Sequence, residues 1–218
     1  MIKAVIFDMD GTTVDTVNSI AYFANQALEK FGILPVPTEK FFTFVGDGPK
    51  KLIERLIEFS GGDLSKTDAV LKYYLDEYNN NSLYLTKPYE GILKMLEDLK
   101  NIEIKTAILS NKQDEAVKII SRELFGDLIE LSVGSCKDVP KKPAPDSLFN
   151  VMSLLGVTKE EVLFVGDTNV DIFTAKNADV KSIGVLWGFR DEKELADAGA
   201  DYIVSHPKEI LDVIMKNE

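Results

Sequence analysis

Short, almost entirely apolar segments rich in β-branched residues recur along the chain. Continuous apolar runs of this length are typical of strands that are covered on both faces of a sheet. The predicted strands are residues 4–7, 104–109, 129–133, 162–165, 183–186 and 202–204.

Between the later predicted strands, apolar residues recur every three or four positions, which is the spacing of one helix face. One such stripe consists of Leu148, Val151, Met152 and Leu155. Strands and helices that alternate in this way predict βαβ units, and therefore a parallel sheet in an α/β fold.

The alternation is interrupted once, because residues 8–103 contain no convincing strand. Helical spacing appears instead within 20–31, 52–57 and 70–78. A crossover between parallel strands needs only about a dozen residues. We therefore expect two domains, an α/β core formed by residues 1–14 and 86–218 and an inserted helical domain formed by residues 15–85.

The charge balance makes some classes of partner unfavourable. Lysine and arginine number 25 against 36 aspartates and glutamates, so the net charge is −11. A surface this acidic repels nucleic-acid phosphates and anionic lipids.

The longest apolar run, residues 183–189, is much shorter than the ~20 residues that a membrane-spanning helix needs. We expect no nucleic-acid partner and no membrane partner, and the oligomeric state stays open.

The chain offers few histidine and cysteine side chains for catalysis or metal binding. It contains one histidine, His206, and one cysteine, Cys136. Zinc sites rich in these residues therefore cannot be assembled. A single cysteine and the lack of a signal-peptide pattern lead us to expect a cytoplasmic protein.

Polar side chains that can carry chemistry follow the predicted strands. In parallel sheets, ligands bind beyond the carboxyl ends of the strands. The residues found there are Asp8 and Asp10 after the first strand, Ser110 and Asn111 after the second, Lys142 after the third, and Asp167 and Asp171 after the fourth.

Together these residues indicate phosphoryl transfer, although each alone is typical of an ordinary turn or helix cap. Asp8, Asp10 and Asp167 would repel one another unless a cation lay between them, and Mg²⁺ prefers such oxygen ligands. One carboxylate could attack phosphorus while another protonates the leaving group. Ser110 and backbone N–H groups would bind the phosphoryl oxygens, and Lys142 would balance their charge.

Four sequence motifs resemble those of the haloacid dehalogenase-like superfamily of phosphotransferases. They are DMDGTTVD at 8–15, ILSN at 108–111, KKPAPD at 141–146 and VGDTNVD at 165–171. The resemblance covers the whole chain, and it implies a Rossmann-like parallel-sheet core with an inserted helical cap.

The resemblance also implies roles for the acidic residues. Asp8 matches the nucleophile of the superfamily, and Asp10 matches its general acid and base. Asp8, Asp167 and the backbone carbonyl of Asp10 match the Mg²⁺ ligands, and Asp171 matches a residue at the edge of the metal site. Ser110, Asn111 and Lys142 match the phosphate-binding residues.

Further segments are similar to phosphoglycolate phosphatases. They are VGDGPKKLIERL at 45–56, TKPYEG at 86–91 and GVLWGFR at 184–190. An acid at Asp10 also distinguishes the chain from the dehalogenase branch. The resemblance therefore implies a phosphatase for a small phosphorylated metabolite, with 2-phosphoglycolate as the favoured substrate. Gly46, Asp47, Gly48 and Lys50 would face the non-phosphate end of the substrate.

Several alternatives remain open. The same type of cap serves sugar-phosphate phosphatases, pyrophosphatases and phosphoglucomutases. A mutase would need a more basic cap, and Arg55 is the only arginine within residues 14–86. A non-enzymatic phosphate-binding protein would be expected to lack one of the carboxylates, and all of them are present.

Overall fold

The chain forms two compact units in the computed structural model, which describes residues 1–216. The core unit consists of Met1–Asp15 and the residues from Pro88 onward, and the helical unit consists of Thr16–Lys87. No helix among residues 1–216 has both the length and the apolar composition that crossing a bilayer requires.

Within residues 1–216 the structure contains eight strands and ten α-helices. The strands are β1 (Ala4–Phe7), β2 (Val14–Asp15), β3 (Lys87–Pro88), β4 (Lys105–Gln113), β5 (Leu131–Ser135), β6 (Val162–Gly166), β7 (Lys181–Val185) and β8 (Tyr202–Val204). The helices of the helical unit are α1 (Val17–Lys30), α2 (Thr38–Phe44), α3 (Pro49–Phe59) and α4 (Thr67–Asn80). The helices of the core unit are α5 (Ile92–Asn101), α6 (Asp114–Phe125), α7 (Asp146–Leu155), α8 (Asn169–Asn177), α9 (Glu192–Ala198) and α10 (Glu209–Met215).

Six strands of the core unit form one parallel sheet in the order β5-β4-β1-β6-β7-β8. β1 lies in the middle, where Ala4 is paired with Lys105 of β4 on one side and with Val162 of β6 on the other. The predicted α/β fold with a Rossmann-like parallel sheet is therefore confirmed.

Helices cover both faces of this sheet, as the continuous apolar strands predict. Along β1, Val5 and Phe7 pack with residues of α5, α6 and α10, whereas Ala4 and Ile6 pack with residues of α7 and α8. Alternate side chains of a strand point to opposite faces. Burial on both faces explains why the strands lack polar alternation.

The second predicted strand ends later than its sequence pattern indicates. β4 continues from Leu109 to Gln113, with a shift in its register to β5 between these two residues. Ser110 and Asn111, which we expected in a loop after the strand, lie within this irregular end of β4. Because these side chains are polar, the apolar pattern in the sequence ends before the backbone pairing does.

The helical unit contains one helix that the sequence pattern did not reveal. The predicted patterns correspond to α1, α3 and α4. In α2, which has 7 residues, only Phe41 is buried, so no apolar stripe could form. Within the unit, α1 packs against α4, with the rings of Phe23 and Tyr78 edge to face at 5.6 Å.

Two leucines of α7 test the assignment of its buried face. Leu148 is fully buried, whereas Leu154 is 62% exposed. Leu148→Ala should lower the free energy of unfolding by about 2–5 kcal/mol, because the substitution leaves a cavity between α7 and the sheet. Leu154→Ala should change it by no more than about 0.5 kcal/mol. Urea denaturation followed by circular dichroism measures both, and equal losses would contradict the assignment.

Candidate active site

The predicted acidic residues converge at the carboxyl edge of the sheet. Asp8 follows β1, and its backbone N–H donates to the carbonyl of Val165 in β6 at 2.8 Å. Asp8, Asp167 and Asp171 are all buried, and each offers a carboxylate oxygen within 4.8 Å of the others. Residues separated by more than 150 positions in the sequence therefore form one cluster.

Lys142 lies within this cluster and compensates part of its charge. Its Nζ atom is 2.7 Å from Oδ1 of Asp8 and 2.6 Å from Oδ1 of Asp171. The lysine is buried, so these ion pairs are shielded from water. The loop after β5 thus supplies a cation at the place that the sequence analysis predicted.

Asn111 fixes the backbone of Lys142. The Asn111 side chain donates from Nδ2 to the carbonyl of Lys142 at 3.0 Å, and its Oδ1 accepts from the N–H of Lys142 at 2.9 Å. The expected binding of phosphate by Asn111 stays a prediction. In the structure its side-chain amide orients the lysine, and this pairing of an amide with a backbone has no signature in the sequence.

Asp171 has two structural partners besides its place in the acidic cluster. At the start of α8, the N–H and Oγ1 of Thr168 donate to Oδ2 of Asp171 at 3.1 and 2.7 Å. The other oxygen of Asp171 accepts from Lys142. Asp171 therefore caps α8 and holds Lys142 at the same time.

Asp10 is bound by a lysine to which the sequence analysis assigned no role. Nζ of Lys112 contacts both carboxylate oxygens of Asp10, at 2.9 and 3.0 Å. The exposed fractions of the two side chains are only 8% for Lys112 and 13% for Asp10. Ser110 is also buried, and its Oγ accepts from the N–H of Lys112 at 3.3 Å.

Burial and mutual repulsion make negative charge unfavourable in the cluster. Burial is the largest cause that raises the pKa of Asp8 to about 7, with Lys142 opposing it and Asp171 adding repulsion. Burial, followed by repulsion from Asp171 and Asp8, raises the pKa of Asp167 well above its usual value. Burial lowers the pKa of Lys142, but the two carboxylates outweigh it and the net shift is upward. An additional positive charge here would favour the ionised carboxylates.

The donor set suits a divalent cation. Lysines pair with Asp8, Asp10 and Asp171, whereas no lysine or arginine within residues 1–216 pairs with Asp167. Carboxylate oxygens are the ligands that Mg²⁺ prefers. Asp8, Asp167 and Asp171 could hold such an ion, whereas the carboxylate of Asp10 is engaged with Lys112.

In the helical unit, Arg55 fixes the loop between α2 and α3. The arginine donates from Nη1 to the carbonyl of Phe44 at 2.7 Å, and its Nη2 is 2.6 Å from Oδ2 of Asp47. Gly46 and Gly48 on either side of Asp47 have positive φ values of 129° and 89°, which glycine tolerates best.

Lys50, in the same region, makes a more exposed contact than Arg55 does. It lies in the first turn of α3, and its Nζ is 3.2 Å from Oδ1 of Asp68 at the surface. The four predicted cap residues thus form one loop and the helix start that follows it.

The chain is similar to a known enzyme family over most of its length. The family described as haloacid dehalogenase-like hydrolase matches residues 5–185. A phosphoglycolate phosphatase of Aquifex aeolicus is 30% identical over 210 residues, which cover 96% of this chain and 95% of the relative. A phosphoglycolate phosphatase of Neisseria meningitidis is 31% identical over 216 residues, with 96% and 92% covered.

One similar relative has a different substrate in its name. The N-acetylmuramic acid 6-phosphate phosphatase of Pseudomonas aeruginosa is 30% identical over 216 residues, covering 98% of this chain and 95% of the relative.

Solved structures show the same architecture. A Lactobacillus delbrueckii protein, provisionally described as a phosphoglycolate phosphatase, has a TM-score of 0.93 and 30% identity, with 97% of this chain and 98% of that chain covered. CbbY from Rhodobacter sphaeroides, crystallised with phosphate, has a TM-score of 0.81 with 96% of each chain covered. At 21% identity, CbbY shows the shared fold alone.

Removal of the buried lysine charge should destabilise the core unit. Lys142→Met keeps a side chain of similar length but leaves Asp8 and Asp171 without their cation. We expect the free energy of unfolding at pH 7 in EDTA to fall by about 3–5 kcal/mol. Lys118→Met is the matched control, because Lys118 pairs with Asp114 at the exposed surface of α6 and should have no measurable effect. Equal stability of the two variants would contradict the assigned electrostatic role of Lys142.

Proposed function

Because this chain belongs to the haloacid dehalogenase-like hydrolases and is a phosphoric monoester hydrolase, we propose that it hydrolyses 2-phosphoglycolate with the help of Mg²⁺. The observation that carries the proposal is the buried cluster of Asp8, Asp167 and Asp171 with Lys142 at the end of the central strand β1. The single cysteine, Cys136, is consistent with action in the reducing cytoplasm.

In this proposal, Asp8 is the nucleophile. A carboxylate oxygen of Asp8 forms a bond to phosphorus, and the bond between phosphorus and the ester oxygen breaks. Asp10 must be protonated at this stage, and it gives its proton to the leaving oxygen. Water then attacks phosphorus, Asp10 accepts the proton of that water, and inorganic phosphate leaves as the Asp8 carboxylate is restored.

The neighbouring residues support this chemistry electrostatically. Lys142, 2.7 Å from Asp8, balances the charge that the phosphate brings into the site. Ser110 and backbone N–H groups at the end of β4 are the proposed donors to the phosphoryl oxygens. When bound, Mg²⁺ would supply positive charge to the phosphoryl oxygens. Asp8, Asp167 and the backbone carbonyl of Asp10 are the proposed ligands, with Asp171 at the edge.

The helical unit is proposed to be a cap that recognises the non-phosphate end of the substrate. Gly46, Asp47, Gly48 and Lys50 are its proposed recognition residues. Lys50 is the only positively charged residue of the four. The carboxylate of a small acid such as 2-phosphoglycolate could pair with it. Arg55 holds the loop in shape through Asp47.

A sugar phosphate is the second candidate substrate, because the N-acetylmuramic acid 6-phosphate phosphatase is as similar in sequence as the phosphoglycolate phosphatases. The test is a panel of 2-phosphoglycolate, N-acetylmuramic acid 6-phosphate, glucose 1-phosphate and pyrophosphate. Comparison of kcat/KM ranks the substrates, and formation of glucose 6-phosphate would reveal a mutase.

We expect 2-phosphoglycolate to give the highest kcat/KM in the panel, and hydrolysis to stop when EDTA removes divalent ions and to return with added Mg²⁺. A higher kcat/KM for a sugar phosphate would contradict the substrate assignment. Full activity in EDTA would contradict the metal assignment.

Asp8→Asn tests the nucleophile directly. The amide is a poor nucleophile, so kcat should fall by at least about 10⁴-fold. Asp127→Asn is the control, since Asp127 is a surface carboxylate of the same unit paired with Lys100. Its kcat should equal that of the wild type. Circular dichroism confirms that both variants fold, and near-normal turnover by folded Asp8→Asn would overturn the assignment.

A further inference from the structure

Asp167 is held by two donors from distant parts of the chain. The hydroxyl of Thr12 donates to Oδ1 of Asp167 at 2.9 Å, and the backbone N–H of Phe189 donates to Oδ2 at 2.8 Å. Asp167 is fully buried. Since each oxygen has its own fixed donor, the carboxylate cannot rotate without breaking a hydrogen bond.

The backbone also approaches Asp167 closely at two glycines. A Cβ atom on Gly11 would lie 2.2 Å from Oδ2 of Asp167, and a Cβ atom on Gly188 would lie 2.3 Å from its Cβ. Both distances are far inside van der Waals contact. Gly11 in addition has a φ of 91°, a conformation that other residues rarely adopt.

The two donor segments are fastened to each other. Nε1 of Trp187 donates to the backbone carbonyl of Thr12 at 2.8 Å, which ties the segment after β7 to the segment after β1. Gly11, Thr12, Gly188 and Phe189 therefore lie around one carboxylate, and Trp187 connects their two segments. We call these five residues the Asp167 clamp.

The charges of the site distinguish Asp167 from the other three carboxylates. Asp8 and Asp171 pair with Lys142, and Asp10 pairs with Lys112. Within residues 1–216, no lysine or arginine pairs with Asp167, and its hydrogen-bond donors are a neutral hydroxyl and a neutral amide. The clamp therefore sets the orientation of this carboxylate but supplies no cation to it.

We propose that the Asp167 clamp is a positioning device for a divalent cation, and that Thr12 and Trp187 determine the affinity for this ion. The inference rests on the proposed function, in which Asp167 is a Mg²⁺ ligand. A carboxylate has about four acceptor positions, so two hydrogen bonds leave room for a metal. Because folding already orients the side chain, ion binding does not have to order it.

The test measures Mg²⁺ binding by isothermal titration calorimetry without substrate. Thr12→Val keeps the shape of the side chain and removes its hydroxyl. Loss of a group that orients a metal ligand typically weakens metal binding by about 10–100-fold, so the Kd for Mg²⁺ should rise by at least about tenfold.

Thr106→Val is the matched control. Thr106 is also a buried threonine, and its hydroxyl donates to the carbonyl of Leu128 at 2.6 Å. It lies at the start of β4, at the opposite edge of the sheet from the site. Its loss should lower stability but leave the Kd for Mg²⁺ within about twofold, a difference of about 0.4 kcal/mol. An unchanged Kd in folded Thr12→Val, or an equal rise in both variants, would overturn the proposal.

Trp187→Phe is the second variant, and it decides the matter if Thr12→Val does not fold. It keeps an aromatic ring and removes the N–H that binds the carbonyl of Thr12. Mg²⁺ binding should weaken, and wild-type affinity in folded Trp187→Phe would then refute the clamp.

The same titration separates this inference from the proposed function. Wild-type protein that hydrolyses 2-phosphoglycolate and binds Mg²⁺, together with variants that bind it equally well, would refute the clamp alone. Wild-type protein that does not bind Mg²⁺ would refute the metal requirement and the clamp together.

Discussion

The buried ion pairs of Lys142 with Asp8 and Asp171 govern the organisation of the core unit. Transfer of carboxylates from water into a protein interior costs several kcal/mol per ion unless a partner compensates it. One ammonium group serves two carboxylates here, at 2.7 and 2.6 Å. The lysine must therefore be held accurately, and Asn111 does so through both hydrogen-bonding groups of the Lys142 backbone. The ring of Phe164 lies 5.5 Å from the ammonium and adds a cation–π contact.

The order of the strands makes this arrangement possible. β1 is central, and its neighbours β4 and β6 end at the same edge of the sheet. Asp8 and Asp167 directly follow β1 and β6, and Ser110 lies in the irregular end of the adjacent β4. Lys142 arrives from the loop after β5. Backbone pairing thus brings the strand ends, and with them Asp8 and Asp167, to one edge of the sheet. The side chains that hold these charges, such as Thr168 and Asn111, then fix their geometry.

Much of this arrangement could be predicted from the sequence, because strand ends are visible in it. Asp8, Asp167 and Lys142 follow apolar runs that predict strands, and a parallel sheet places its carboxyl ends together. The contact of Lys112 with Asp10 could not be predicted, because the sequence does not distinguish a buried lysine of the site from a surface lysine. Its position two residues after Ser110 was the only signal. The N–H of Phe189 could not be found at all, because every residue except proline carries this donor. The short helix α2 was not predicted, because it buries a single phenylalanine and therefore shows no apolar stripe.

The shape of the loop between α2 and α3 depends on some of the residues in and near it but not on Lys50, which lies in the first turn of α3. Gly46, Gly48 and Arg55 determine the backbone, through two positive φ angles and through the contacts of the arginine with Phe44 and Asp47. Lys50 contributes only an exposed pair with Asp68. An evolving lineage can therefore exchange the side chain at position 50 while the loop keeps its conformation.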